Sequence, residues 1–193
     1  MRPCDPPYST TASPVLPLGR PVVLVGLMGA GKTRVGGVLA RLLQIPFVDS
    51  DLEVERVAGM AVSDVFELYG ESAFRDCEAK VIARLLRGQV QVIATGGGAF
   101  MNEETRALVK KDAISIWLRA DVDVLLERTA HSGRRPLLQT DDPRAVLQRL
   151  VDMRYPVYAQ ADITVDSGAQ SPQDMAKHLV DILRAHIEKE VQA

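Results

Sequence analysis

The chain has 193 residues, 47% hydrophobic, 25% charged and 5% aromatic, which is the profile of one globular domain and excludes a disordered, collagenous or membrane chain. Its 23 basic and 25 acidic residues give a formal net charge of −2, so no overall field draws it to nucleic acid or to anionic lipid. The longest mostly apolar stretch, Val22 to Ala30, is far short of a membrane span and holds Gly26 and Gly29. Cys4 and Cys77 lack any CxxC or Cys/His spacing, so neither a disulfide framework nor a zinc site is suggested, and a cytoplasmic location fits.

Residues 1–21 carry six of the eleven prolines among small polar residues, which predicts a flexible tail. From Val22 onward, short aliphatic runs alternate with helical patterns: Val22 to Val25, Pro46 to Val48, Val90 to Ala94, Ile114 to Leu118 and Ile163 to Val165. That alternation predicts an α/β fold, a parallel sheet with crossover helices, in one domain over 22–193. The helix opening at Lys32 is expected to bury Val35, Val38, Leu39, Leu42 and Leu43, and the terminal helix Leu179, Ile182, Leu183 and Ile187. Residues 129–143 have little apolar periodicity, hold Gly133, Arg134, Arg135 and Pro136, and read as a mobile excursion. His131, His178 and His186 lack ligand spacing, Cys77 reads as a buried helix residue, and Trp117 reads as packing.

Directly after the first strand comes Gly26-Leu27-Met28-Gly29-Ala30-Gly31-Lys32-Thr33, a GxxxxGK[ST] run that opens an amphipathic helix. Glycines let backbone N–H groups converge on phosphate oxygens, and the helix N-terminus adds a favourable dipole. Lys32 is then expected to meet the β and γ phosphates, Thr33 to coordinate Mg²⁺, and Arg34 to offer its backbone N–H to the α phosphate. No NKxD-like base reader and no long apolar strand ending in Asp-Glu is present, and the short chain favours a small-molecule kinase over a GTPase or a motor.

The second strand runs into Asp49-Ser50-Asp51. That strand is expected to end only at Asp51, and residues two apart on a strand point to the same side, so both carboxylates face one crevice, roughly 6.5–7 Å apart. One would hold Mg²⁺ through water and the other accept a proton from a hydroxyl substrate. The alternative is that one acid simply caps a helix from Leu52 to Val57. Gly70 to Glu78 opens a further helix on which Arg75 and Glu78 share a face, and by spacing alone this is an ordinary solvated ion pair. The third strand ends in Thr95-Gly96-Gly97-Gly98, where absent side chains would let a ligand touch backbone.

Taken together, GLMGAGKT, DSD at 49–51, FRDCE at 74–78, GGG at 96–98, RRPLL at 134–138 and RYPVY at 154–158 resemble the shikimate kinase family, over residues 22 to about 185. The resemblance implies a P-loop three-layer α/β/α fold with a central five-stranded parallel sheet, a substrate-binding segment and a lid at about 129–143. It implies transfer of the ATP γ-phosphoryl to the 3-hydroxyl of shikimate, with Mg²⁺ as cofactor. Residue by residue, Asp49 matches a Mg²⁺-holding acid and Asp51 the base that binds the shikimate hydroxyls. Arg75 and Arg154 match residues holding the substrate carboxylate, Glu78 steers Arg75, and Gly97 gives backbone contact. Gly29, Ala30, Gly31, Lys32, Thr33 and Arg34 cradle ATP, the lid Arg135 reaches its phosphates, and Arg128 stacks on adenine with Pro172 opposite. Relatives often carry acidic residues where this chain has Ala159-Gln160. Shikimate and ATP are the expected partners, with no nucleic acid, no membrane and a monomeric state. The rivals are a gluconate kinase, with less reason for two carboxylate-reading arginines, and a catalytically silent nucleotide-binding module.

Overall fold

A computed structural model describes residues 16–130 and 140–192. Its five parallel strands, β1 (Val22–Val25), β2 (Phe47–Asp49), β3 (Val92–Ala94), β4 (Ile114–Arg119) and β5 (Ile163–Asp166), lie in the order β2-β3-β1-β4-β5. Helices α1 (Lys32–Leu43), α2 (Ser50–Ala58), α3 (Val62–Leu86), α4 (Glu103–Asp112), α5 (Val122–Thr129), α6 (Pro143–Tyr158) and α7 (Pro172–Gln192) fill the connections, with a short 3-10 turn at Ala99–Met101. The five-stranded α/β expectation is met, with strand ends moved by one or two residues.

Both faces of this sheet are covered, so its central strand is apolar throughout: Val22, Val23, Leu24 and Val25 are all buried. On α1 the buried stripe is Val35, Leu39, Ala40 and Leu43, whereas Leu42 is 47% exposed and leaves the expected core. Gly36 belongs to the stripe because a Cβ there would fall 2.7 Å from the Phe47 ring. α1 packs against α7, which contributes Leu179 and Leu183 to the core.

The chain leaves β1 toward β2 but leaves β3 toward β4, on the other side of β1. The connections therefore diverge between β1 and β3, and an open α/β sheet has its crevice at such a point, beyond the strand C-termini. Register aligns those ends: Leu24 pairs with Ala94, and Ala94 with Asp49. The segments that follow, Gly26, Ser50 and Thr95, therefore emerge side by side.

Two local expectations change. The helix expected from Gly70 extends back to Val62, and Gly70 (φ 80°, ψ 172°) is a break inside it. Its first part was hidden because Phe66, Leu68 and Tyr69 are exposed and leave no apolar stripe. Within the expected flexible tail over 1–21, Leu16 is buried in the core cluster and Arg20 pairs with Glu190 of α7. Two leucines around Pro17 are too few for periodicity to register. Among the described residues no helix is long and apolar enough to cross a membrane.

Candidate active site

The loop Gly26–Gly31 turns tightly because its glycines adopt φ of 142° (Gly26), 83° (Gly29) and 95° (Gly31). At Gly26 the requirement is also one of space, since a Cβ would fall 2.7 Å from the Leu118 carbonyl oxygen. Lys32 is buried, and its Nζ donates to the carbonyls of Gly26 (2.8 Å) and Leu27 (2.9 Å), bracing the loop from within. The rear of the loop is tied to β5: Ser167 Oγ donates to Ala30 O at 2.9 Å. Arg128 reaches the same place from α5, donating to Ser167 Oγ at 3.0 Å, to Gly29 O at 3.4 Å and to Gly168 O.

Thr33 Oγ1 donates to Asp49 Oδ2 at 2.8 Å. With its proton committed to Asp49, the hydroxyl has lone pairs to offer a cation. Among the described residues no group of three or more His, Cys, Asp or Glu side chains gathers as a metal site. A hydroxyl with one carboxylate is a partial set of hard oxygen donors, which fits Mg²⁺, an ion that draws its remaining ligands from phosphate and water.

The Asp49-Ser50-Asp51 run is not extended. β2 ends at Asp49 and α2 begins at Ser50, so the alternation argument for the two acids fails. Asp49 is the N-cap, accepting the Asp51 backbone N–H on Oδ1 at 3.0 Å while Oδ2 takes Thr33. Both acids still line one cavity, because the first turn of α2 carries Asp51 round toward β3. There Asp51 Oδ1 is buried without a hydrogen-bond partner, as is Glu78 Oε1. Burial first, then the negative charges of Asp49 and Glu78, push the Asp51 carboxyl up to about 6, against the opposing pull of Lys32 and Arg75. Burial likewise raises Glu78, which Arg75 and Arg154 partly offset.

The glycines after β3 each make room for a charged side chain. A Cβ on Gly96 would fall 2.6 Å from both Asp51 Oδ1 and Glu78 Oε1. On Gly98 it would fall 2.6 Å from Arg75 Cζ, so that guanidinium lies against bare backbone. On Gly97 it would fall 3.4 Å from Arg154 Nη1, which donates to the Gly97 carbonyl at 3.0 Å. Arg75 is held by Glu78 (2.8 Å), which is almost wholly buried, and by Glu71 (3.2 Å). Its guanidinium also sits 5.0 Å from the Phe74 ring centre, and Phe74 stacks on Phe66 at 4.6 Å. The pair is therefore not the solvated one that spacing suggested.

Lys32, Thr33, Asp49, Asp51, Arg75, Glu78, Arg128, Arg154 and the glycines after β3 line one cavity of about 870 Å³. A family model described as shikimate kinase matches residues 28–184. The shikimate kinase of Brucella canis is 52% identical over 172 residues, covering 89% of this chain and 86% of that protein.

The chain belongs to the shikimate kinase family. The solved structure of the family member from Acinetobacter baumannii, in complex with shikimate, superposes with a TM-score of 0.83 at 37% identity, covering 86% of this chain and 94% of that one. A gluconokinase from Sinorhizobium meliloti, at 18% identity and a TM-score of 0.59, shares the fold alone.

Measured against the family pattern, the cavity brings together Gly29, Gly31, Lys32, Thr33, Arg34, Asp49, Asp51, Arg75, Glu78, Gly97, Arg128, Arg154 and Pro172. Ala30 is buried behind the loop. Arg135, most of the expected lid and His131 fall outside the described residues. Cys77 is half-buried and packs at the edge of the core rather than within it. Trp117 is buried and meets Tyr155 edge-on at 4.8 Å. Ala159 is the C-cap that follows α6, and Gln160 accepts from Lys110 at 3.3 Å, so Gln160 is occupied in joining the end of α6 to α4. Sequence reasoning missed Ser167, which follows a strand with no motif around it. It also missed the hydroxyl of Tyr158, which donates to the Gly97 carbonyl.

Proposed function

We propose that this chain transfers the γ-phosphoryl of ATP to the 3-hydroxyl of shikimate. The observation that carries the reading is the sharing of one cavity by a glycine cradle, an unpaired buried carboxylate oxygen and two arginines on bare glycine backbone. In this reading Gly29, Ala30, Gly31 and the backbone N–H of Arg34 hold the phosphates, and Lys32 turns from its loop carbonyls to the β and γ phosphates. Arg128 with Pro172 borders the adenine end, since both lie beside the β5–α7 connection. Arg75 and Arg154 grip the substrate carboxylate, whose plane their forked donors match.

Asp51 accepts the proton as the substrate oxygen bonds to the γ phosphorus and the bond to the bridging oxygen of ADP breaks. A carboxyl that titrates near 6 is ionised at neutral pH yet still a competent proton acceptor. Thr33 and Asp49 would hold Mg²⁺, which would neutralise phosphate charge when bound. By the family resemblance Arg135, outside the described residues, is assigned the addition of positive charge at the phosphates. No covalent enzyme intermediate is required; positioning and charge neutralisation supply the rate.

A coupled assay of ADP formation tests this directly. ADP release that depends on shikimate, with gluconate inactive, is expected. Release with gluconate instead would favour the sugar-acid kinase, and no acceptor-dependent release at all would revive a silent nucleotide-binding module.

A further inference from the structure

The Arg-Tyr-Pro-Val-Tyr run at 154–158 contains one chemical group that the proposed reaction does not use. Tyr158 closes α6 four residues after Arg154, so the two side chains leave the same helix face. Its ring is fully buried against Trp117, 6.0 Å away between centres, and Tyr155, at 6.2 Å. That packing leaves the ring no alternative place, and the hydroxyl is aimed at the Gly97 carbonyl, to which it donates. Arg154 Nη1 donates to the same oxygen at 3.0 Å. Two donors thus fill the two lone pairs of one carbonyl. The hydroxyl and the guanidinium therefore meet at that one oxygen.

We propose that Tyr158 is a positioning residue for the acceptor site, holding the Gly97 carbonyl and Arg154 in one triangle so that the remaining donors of Arg154 face the substrate carboxylate. The inference rests on the reading of Arg154 as a carboxylate binder. The physical need is clear: an arginine carries several rotatable bonds, and a long side chain ordered only on binding lowers affinity by the entropy it loses. Without the tyrosine hydroxyl, a single contact to a glycine carbonyl would have to fix the guanidinium. The glycine turn gains as well, because Gly97 is free of any Cβ that would restrain its peptide plane. Burial pushes the Tyr158 phenol up to about 12, so the hydroxyl keeps its proton and remains a donor throughout the working pH range.

The test is Tyr158→Phe, which keeps the ring and its packing and removes only the oxygen. The Gly97 carbonyl retains Arg154, so no buried polar group is orphaned and folding is expected to survive. Loss of one such hydrogen bond predicts a rise in the KM for shikimate of about three- to tenfold. The KM for ATP should stay within about twofold, and kcat should change less than the shikimate KM.

A purely structural role would disturb both substrates together, so that pattern overturns the proposal. A second measurement isolates the route: on an Arg154→Ala background, Tyr158→Phe should produce no further loss of shikimate affinity by calorimetry, since the group it positions is gone. Additive losses would overturn the proposal. If the wild type shows no shikimate-dependent ADP release, the functional reading falls and this inference falls with it. If the wild type turns over and Tyr158→Phe leaves the shikimate KM unchanged, the inference alone is overturned.

Discussion

Asp51 and Glu78 meet across Gly96: an unpaired oxygen of each lies 2.6 Å from the point where a Cβ on that glycine would stand. Two carboxylates from different helices therefore share a narrow space whose third wall is bare backbone. Like charges so placed oppose each other's ionisation, and the guanidinium of Arg75, bonded to Glu78 at 2.8 Å, limits the conflict.

That conflict makes Asp51 a residue that favours reaction over stability. Its carboxyl rises from 3.8 to about 6 on folding, so the folded chain binds the proton more tightly than the unfolded one. The stability this contributes is complete below about 3.8 and is lost as pH rises through about 6. Asp51→Asn should therefore raise the melting temperature at pH 8, in buffer free of Mg²⁺ and nucleotide, by at least about 2 °C. The difference should shrink toward pH 4. The same variant should lose at least about 10²-fold in kcat. Near-normal turnover in the folded variant would remove Asp51 from the role of base.

Gly96→Ala should strike the acceptor side selectively. Gly96 is outside the left-handed region, so the backbone accepts alanine and only the collision with Asp51 and Glu78 matters. Shikimate-dependent turnover should fall by about tenfold or more, as expected when a reacting group is displaced. Nucleotide affinity, read by calorimetry, should stay within about twofold. Equal losses for both ligands would show that the turn serves the whole sheet edge instead.

Arg154→Ala should weaken shikimate binding by about 10- to 100-fold, the cost of a charge-assisted contact to a carboxylate. ATP binding should change far less, because the phosphates are held by the P-loop's own backbone N–H groups and Lys32, whereas Arg154 donates to Gly97 after β3. Calorimetric titration with each ligand separates the two, and parallel losses would contradict the assignment.

Asp49 caps α2 and also receives the Thr33 hydroxyl, so its two functions can be separated chemically. Asparagine caps a helix about as well as aspartate, and Asp49→Asn should leave the melting temperature near that of the wild type. The Mg²⁺ concentration for half-maximal turnover should rise by about tenfold, as when a group bound to a metal's water is changed. A large fall in melting temperature with unchanged Mg²⁺ dependence would reduce Asp49 to a cap.

Local chemistry wrote much of this molecule into its sequence. The turn at Gly26–Gly31 was legible because a glycine run, a lysine and a threonine act over a few bonds, where backbone freedom and helix polarity decide the outcome. The parallel sheet was legible because strands buried on both faces must be continuously apolar, as Val22–Val25 are. Ser167 and Tyr158 were illegible: each acts through one hydroxyl aimed at a backbone carbonyl 137 and 61 residues away, and a lone hydroxyl leaves no pattern along the chain. Capping by Asp49 or Asp51 was legible as an alternative, but not which of the two caps, because where β2 yields to α2 depends on how the chain turns at the sheet edge.

By itself, then, the sequence determined which chemical groups this protein owns and which short segments bend or stay straight, since those follow from each residue's own backbone preferences and side-chain chemistry. Only the tertiary structure decided which groups meet. Strand order puts the end of β3 between those of β1 and β2, and this adjacency, rather than any spacing along the chain, presses Asp51, Glu78, Arg75 and Arg154 against three glycines. Contact between residues far apart in sequence is a property of the packed sheet, because it depends on every connection closing together.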